Sequence, residues 1–278
     1  MSSTVRLRRL SQELIRLRKE AGLTVEEVTT RLGWSQGRLT YIEHNKWVKA
    51  SIRNITALLD LYDIHGDRRD GILELARQAS QKGWWASFRD AFPLNYPGFE
   101  EAATTIRTYE AILVPGLFQT ADYATALFRA TQVLTAHVAA NRVKARMERQ
   151  KLLDHDDPPE VWALIDEAAL VRPVGGSHVM AEQINHLIRL AARPNITIQV
   201  VPTSIGAHAA MTGAFVILDF AGVEDAPIVF LEEFTSCLMM EKHDDVHAYT
   251  LMFNRVAASA LPPEETTSRL KVLLTHHE

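Results

Sequence analysis

Four short helical patterns follow one another between residues 6 and 62, and the turn between the second and third admits few folds. Leu7, Leu10, Leu14 and Leu17 draw one apolar stripe, which Gly22 can end. Thr24, with Glu27 three residues later, reads as a capping box ahead of inward-facing Val25, Val28 and Leu32. Gly33 closes this second helix, Ser35 caps a third, and Leu39 and Ile42 give the third a buried side. Ile52, Ile55, Leu58, Leu59 and Tyr62 mark a fourth. A capped helix, a Gly-containing turn and a short second helix form the unit that seats its second helix in the major groove of DNA.

The residues left outward on the third helix suit that task. Gln36 can pair bidentately with adenine, Arg38 with guanine, and Tyr41 can contact phosphate or a thymine methyl. Gly37 contributes by absence, letting the backbone approach the groove at a propensity cost of about 1 kcal/mol. Thr24, Ser35 and Thr40 are expected at the DNA backbone.

Charge divides the same way. The chain is formally −4, yet residues 1–60 hold eleven basic and six acidic side chains, so a head of +5 precedes a body of −9. A local phosphate-binding surface needs only the head. With 278 residues, two domains are expected, and an apolar content of 47% can fill their cores. The sequence shows neither a membrane-spanning run nor an apolar signal region after MSSTVRLRRL, so the expectation is a cytoplasmic protein. Cys237 stands alone, which rules out an intrachain disulfide and a Cys-built zinc site.

Residues 6–62 resemble the Cro/C1-type helix-turn-helix domain of the XRE regulators. The resemblance implies base contacts from Gln36, Gly37, Arg38 and Tyr41, phosphate contacts from Lys46 and Lys49, and a structural ion pair between Arg18 and Glu43. The chain departs from the family at Val25, where a phosphate-binding Gln is common, and at Thr29, where a small Ala usually packs.

After the head, residues 65–99 read as a connecting helix, carried by Ile72, Leu73, Leu75, Ala76 and Ala79, and then an aromatic junction. Trp84, Trp85, Phe88, Phe92, Tyr96 and Phe99 crowd that junction. They read either as packing or as a ligand cage. The expected domains are therefore 1–64, the junction 65–99, and a body over 100–278. In the body, strands are expected at 104–112, 160–165, 196–201, 213–220 and 228–234, and helices at 121–130, 136–153, 180–192, 244–260 and 264–275. The fold class that follows is an all-α head with an α+β body on a mixed sheet.

Several phrases in the body invite an enzymatic reading. His243 and His247 share a helix face at zinc-binding spacing, but Asp244 stands where a metalloprotease needs Glu. Val174-Gly175-Gly176-Ser177 could cradle an anion, though it lacks the lysine of a phosphate loop. Asp166, Glu167, His208, Glu232 and Glu233 could form a polar pocket if they converged. None of these makes a catalytic signature, so the expectation is a protein that is not an enzyme, with no metal and no cofactor.

A second resemblance covers the body. Val114-Pro115-Gly116-Leu117-Phe118-Gln119-Thr120 with Tyr123 is similar to the "PGLLQT..Y" signature of WhiJ-like and Scr1-like actinobacterial regulators, and 146–150, 166–170 and 213–215 match further stretches. It implies an antitoxin-like transcription regulator associated with a small partner protein encoded nearby. Gln119 and Tyr123 join Trp84 and Trp85 as candidate effector or partner contacts. The whole reads as a homodimeric regulator of double-stranded DNA, because one head covers only a few base pairs. A protein-interaction module that autoregulates its own promoter is the alternative.

Overall fold

The computed structural model describes residues 2–45, 47, 50–88, 91–92, 95–130, 134–222, 225–233 and 236–277. Two compact units divide the chain, Met1–Ala102 and Ala103–Glu278.

The first unit is helical throughout. Helix α1 (Ser3–Glu20) buries Leu7, Leu10, Leu14 and Leu17, and Gly22 follows it at φ +68. Helix α2 (Val25–Leu32) opens on the expected capping box: Glu27 N donates to the Thr24 hydroxyl at 3.2 Å, and Thr24 N donates to the Glu27 carboxylate at 2.8 Å. Gly33 ends α2 at φ +63, a left-handed turn that costs a glycine little. Helix α3 (Gln36–Glu43) buries Leu39 and Ile42, and α4 (Ile52–Leu61) buries Ile55, Leu58 and Leu59. One core joins them, with Val25 and Leu32 partly buried against it.

The stretch expected to connect the domains supplies a fifth helix, α5 (Gly66–Ala79), whose Ile72, Ala76 and Ala79 are buried in the head's own core. Its polar face is tied back by Arg68 to Glu20 at 2.8 Å and Arg69 to Asp60 at 2.7 Å. Exposed pairs of this kind add little stability each. A 3-10 turn (Trp84–Phe88) and a short helix α6 (Tyr96–Glu100) complete the unit.

The second unit is built on a mixed sheet, six-stranded among the described residues: β1 (Ala103–Glu110), β2 (Glu160–Asp166), β3 (Ile196–Val201), β4 (Phe215–Phe220), β5 (Ile228–Glu232) and β6 (Cys237–Met240). The order β3-β2-β1-β4-β5-β6 puts β1 at the join between a parallel half and an antiparallel half. Helices α7 (Ala121–Ala130) and α8 (Ala136–Gln150) connect β1 to β2. From β2 the chain reaches β3 through α9 (Glu167–Val171) and α10 (Ser177–Ala191). Parallel strands need such crossovers, and with helices on both faces β3 buries five of its six residues. Helix α11 (His243–Ser259) lays Phe253 and Val256 into a core with Tyr109, Leu164, Phe215, Ile217 and Val229. Helix α12 (Pro263–Thr275) then packs on α10 and β3.

Several expected boundaries move. The strand expected over 104–112 stops at Glu110, and the one expected from 213 starts at Phe215, because Gly213 sits at φ +145. The helix expected over 136–153 gives way to a 3-10 turn (Lys151–Asp154), and β6 was not expected at all. Of the strand expected over 228–234, residue 234 lies outside the described residues. No helix is long and apolar enough to cross a membrane among the described residues.

Candidate DNA-reading face and the polar clusters of the body

Helix α3 turns Leu39, Ile42 and Glu43 inward and leaves Gln36, Gly37, Arg38 and Tyr41 exposed. Thr40 is half-buried. The Arg38 guanidinium donates to the Asn54 side-chain oxygen at 2.5 Å and lies 4.2 Å from the centre of the Trp34 ring. Trp34 and Asn54 thus hold the base-reading candidate, and neither announces itself in the sequence because neither follows the helical period. A Cβ on Gly37 would meet nothing within 4 Å, so the head's own packing does not demand glycine there.

The expected backbone contacts divide. Ser35 stands at the start of α3 but makes no capping hydrogen bond with its side chain, which corrects the expected cap and leaves the hydroxyl exposed. The Thr24 hydroxyl is engaged with Glu27 in the capping box, where the backbone N–H of Thr24 holds the Glu27 carboxyl below its ordinary range. Lys46 and Lys49 lie outside the described residues.

The core side of α3 is fixed by polar bonds as well as by apolar contact. Arg18 grips Glu43 with two donors, at 2.7 and 3.0 Å, and donates a third bond to the Leu23 carbonyl at 3.0 Å. The bond to Glu43 raises the guanidinium further above its ordinary range. Ser11 donates to the Ile42 carbonyl at 2.7 Å and accepts from the Trp47 indole at 3.0 Å. Thr29 fits where the resembled family prefers Ala because its hydroxyl donates back to Val25 and Glu26 carbonyls, both at 3.0 Å.

The aromatic junction favours packing over a ligand cage. Trp84 meets Trp85, Phe88 and Phe92 edge to face at 5.7 to 6.0 Å. Trp85 is buried, and its ring fills the space a Cβ on Gly83 or Gly98 would need. Residues 93 and 94 of that loop lie outside the described residues.

In the body, the residues expected at an effector surface turn inward. Gln119 and Tyr123 are buried, at 2% and 0% exposure. Gln119 donates to the Val114 carbonyl at 2.7 Å and accepts from Arg146 at 2.5 Å, while the Tyr123 hydroxyl accepts from Val114 N at 3.2 Å. Gln150 donates to the Gly116 and Gln119 carbonyls, and Gln183 spans the Phe118 carbonyl and Thr120 N, both at 2.7 Å. The signature therefore folds as a knot of satisfied polar groups between a 3-10 turn (Gly116–Phe118) and helices α7, α8 and α10. Gln119→Leu is expected to cost about 2 to 3 kcal/mol, since it strands the Val114 carbonyl and one Arg146 donor. Thermal unfolding of the body checks this; an unchanged midpoint would contradict it.

The five residues considered for one polar pocket separate into distinct groups, and Glu233 is exposed just past the end of β5. Asp166 and His208 come within 3.5 Å of each other, joined by the Tyr109 hydroxyl at 3.5 Å from each. Glu167 faces elsewhere, accepting from Thr203 and pairing with Arg269. Glu232, at the end of β5, shares its surroundings with Glu110 at the end of β1. Sequence reasoning missed Tyr109 and Glu110, since each is brought to its partners only by strand pairing. The other enzymatic suggestions stay local: His243 and His247 stack in parallel on an exposed helix face, with ring centres 6.1 Å apart, and among the described residues no group of three metal-ligating side chains forms. Gly175 and Gly176, both at positive φ, make the turn into α10.

Comparison with known protein families gives two matches. Residues 9–71 match a Helix-turn-helix domain, and residues 95–272 match the family described as Domain of unknown function (DUF5753). The second match spans well over half of the chain, which therefore belongs to that family. No curated protein and no solved structure matches the chain.

Proposed function

We propose that this member of the family is a sequence-specific, DNA-binding transcription regulator, homodimeric, whose body binds a small partner protein or effector and thereby modulates DNA binding. The observation that carries the reading is the capped α2, the left-handed turn at Gly33 and the short α3 with Gln36, Gly37, Arg38 and Tyr41 exposed over a buried Leu39 and Ile42. That is the form of a helix presented to the major groove, on the +5 half of a chain whose remainder is −9. Two heads are needed because one reads only a few base pairs. The partner or effector would act by changing their spacing or tilt. Neither unit is assigned a catalytic step, and the cytoplasm is the compartment where such a regulator would meet its operator.

The likeness of 114–123 to the WhiJ-like signature supports a partner protein encoded nearby. It also keeps in play an antitoxin-like module that binds its partner tightly and uses DNA only at its own promoter. Co-purification of the neighbouring small protein, with and without operator DNA, separates the two.

Arg38→Ala is expected to weaken binding to a selected operator by about 1 to 3 kcal/mol while leaving binding to unrelated DNA nearly unchanged. The Arg38 side chain is already stacked on Trp34, so Trp34→Ala should reproduce part of that loss. Titration of both variants on operator and scrambled duplexes provides the measurement. An equal loss on every sequence would remove Arg38 from the base-reading set.

A further inference from the structure

Two carboxylates at one end of the sheet are left unmatched by the body's own contacts. Thr108 of β1 pairs with Val216 of β4, and Val216 pairs in turn with Phe230 of β5. Side chains alternate along each strand, so Glu110, two residues past Thr108, and Glu232, two past Phe230, rise from the same face of the sheet. Between them lies the start of β4, preceded by the small residues Gly213 and Ala214. Cys237, paired with Glu232 in the register of β6, shares the face.

Neither carboxylate has a hydrogen bond or ion pair among the described residues. Glu110 lies deep in the body, with part of its side chain still open to solvent. Burial first, and the charge of Glu232 second, push its acid up to about 7. Positive groups stand near without closing on it. Arg146 of α8 spends its guanidinium on Gln119 and on the Phe128 ring, 4.7 Å from its centre. Burial and the neighbouring Arg149 bring Arg146 down to about 10. Arg149 lies against the signature turn, where a Cβ on Gly116 would come within 3.2 Å of it.

We propose that Glu110 and Glu232 form a binding site for a singly charged cationic N–H group, an amine or a guanidinium. Two carboxylates with no hydrogen-bond donor on them have an unmet demand for donors, and such a group supplies several on a single charge. A bare divalent ion fits less well. It wants more oxygen ligands than two carboxylates give, and Arg146 and Arg149 would oppose its charge. The same arginines suit a ligand that carries an anionic group beside its cation.

The test uses the full chain without DNA, so its failure would leave the DNA-reading proposal standing on its own evidence. The probes are butylamine and butylguanidine as singly charged free small molecules and acetyl-Gly-Arg-Gly-amide as a side chain on a peptide, titrated by calorimetry at pH 8. Binding of one of them is expected, weakened at least fivefold in both Glu110→Gln and Glu232→Gln. Preference for the small molecules or for the peptide tells which source the site serves. Affinity should fall roughly tenfold from pH 8 to pH 6 as Glu110 takes up its proton. The other titratable and charged groups near Glu110 are Glu232 of β5, Arg146 and Arg149 of α8, Tyr123 of α7 and Tyr109 of β1 itself, with Cys237 of β6 beside Glu232. Glu232 is exposed, so its variant keeps the fold and the comparison valid. No binding of any probe to the wild type, or equal binding by wild type and both variants, overturns the proposal.

Discussion

Glu43→Ala is expected to cost the head about 3 to 5 kcal/mol, the loss typical of breaking a buried ion pair from one side. The pair is shielded: the side chain of Arg18 is 13% exposed and that of Glu43 4%. Removing the carboxylate leaves a guanidinium out of water with one remaining bond, to the Leu23 carbonyl at 3.0 Å. The charge cannot escape by losing its proton, because arginine stays charged at any working pH. The pair also ties the last turn of α1 to the last turn of α3, so its loss should loosen the reading helix and weaken binding to every DNA sequence alike. Arg18→Met combined with Glu43→Leu should recover most of the stability, since an apolar pair removes the stranded charge. Four of the five tryptophans, Trp34, Trp47, Trp84 and Trp85, belong to the first unit, so urea unfolding followed by indole fluorescence reports chiefly on it. A loss under about 1 kcal/mol would mean that the pair is effectively solvated.

The head was legible in the sequence because its signals are local. The leucine stripe, the Thr24 and Glu27 box and Gly33 each act within a turn or two of themselves, and the structure uses each as read. What escaped depends on distance along the chain. Trp47 is buried because Ser11, 36 residues away, accepts its N–H, and no period marks that contact. Helix α5 looked like a connector because its apolar side is short. Its place is set by α1, with which it shares a core. In the body the strands showed in composition, but their order did not, and the order decides which polar groups meet. Asp166 and Glu167 part where β2 gives way to α9, and Glu232 and Glu233 stand at the end of β5, separated from β2 by β1 and β4. Gln119 and Tyr123 stood out as a signature, and a signature residue can equally be one that holds a turn together from within.

Glu110→Gln should make the body more stable at pH 8, by up to about 3 kcal/mol, and change it little near pH 4. That figure is the free-energy equivalent, at roughly 1.4 kcal/mol for each tenfold in acidity, of the rise of the acid from its ordinary 4.5 to about 7. The sign follows from linkage. An acid raised on folding favours the native state fully only below its unfolded value, and that favour is lost as pH climbs through about 7. Above it the folded chain must hold an ionised carboxylate among buried groups and opposite Glu232, whereas glutamine fills the same volume without charge. Wild type and variant should therefore show melting midpoints that coincide in acid and separate steadily between pH 5 and pH 8, with the variant higher. Curves that stay parallel across that range would mean that water already solvates Glu110, and the cation site would lose its premise. Curves that separate would show the body giving up stability to keep a charged acid in place. A bound amine or guanidinium restores that stability, and glutamine, by removing the charge, removes the reason to bind it.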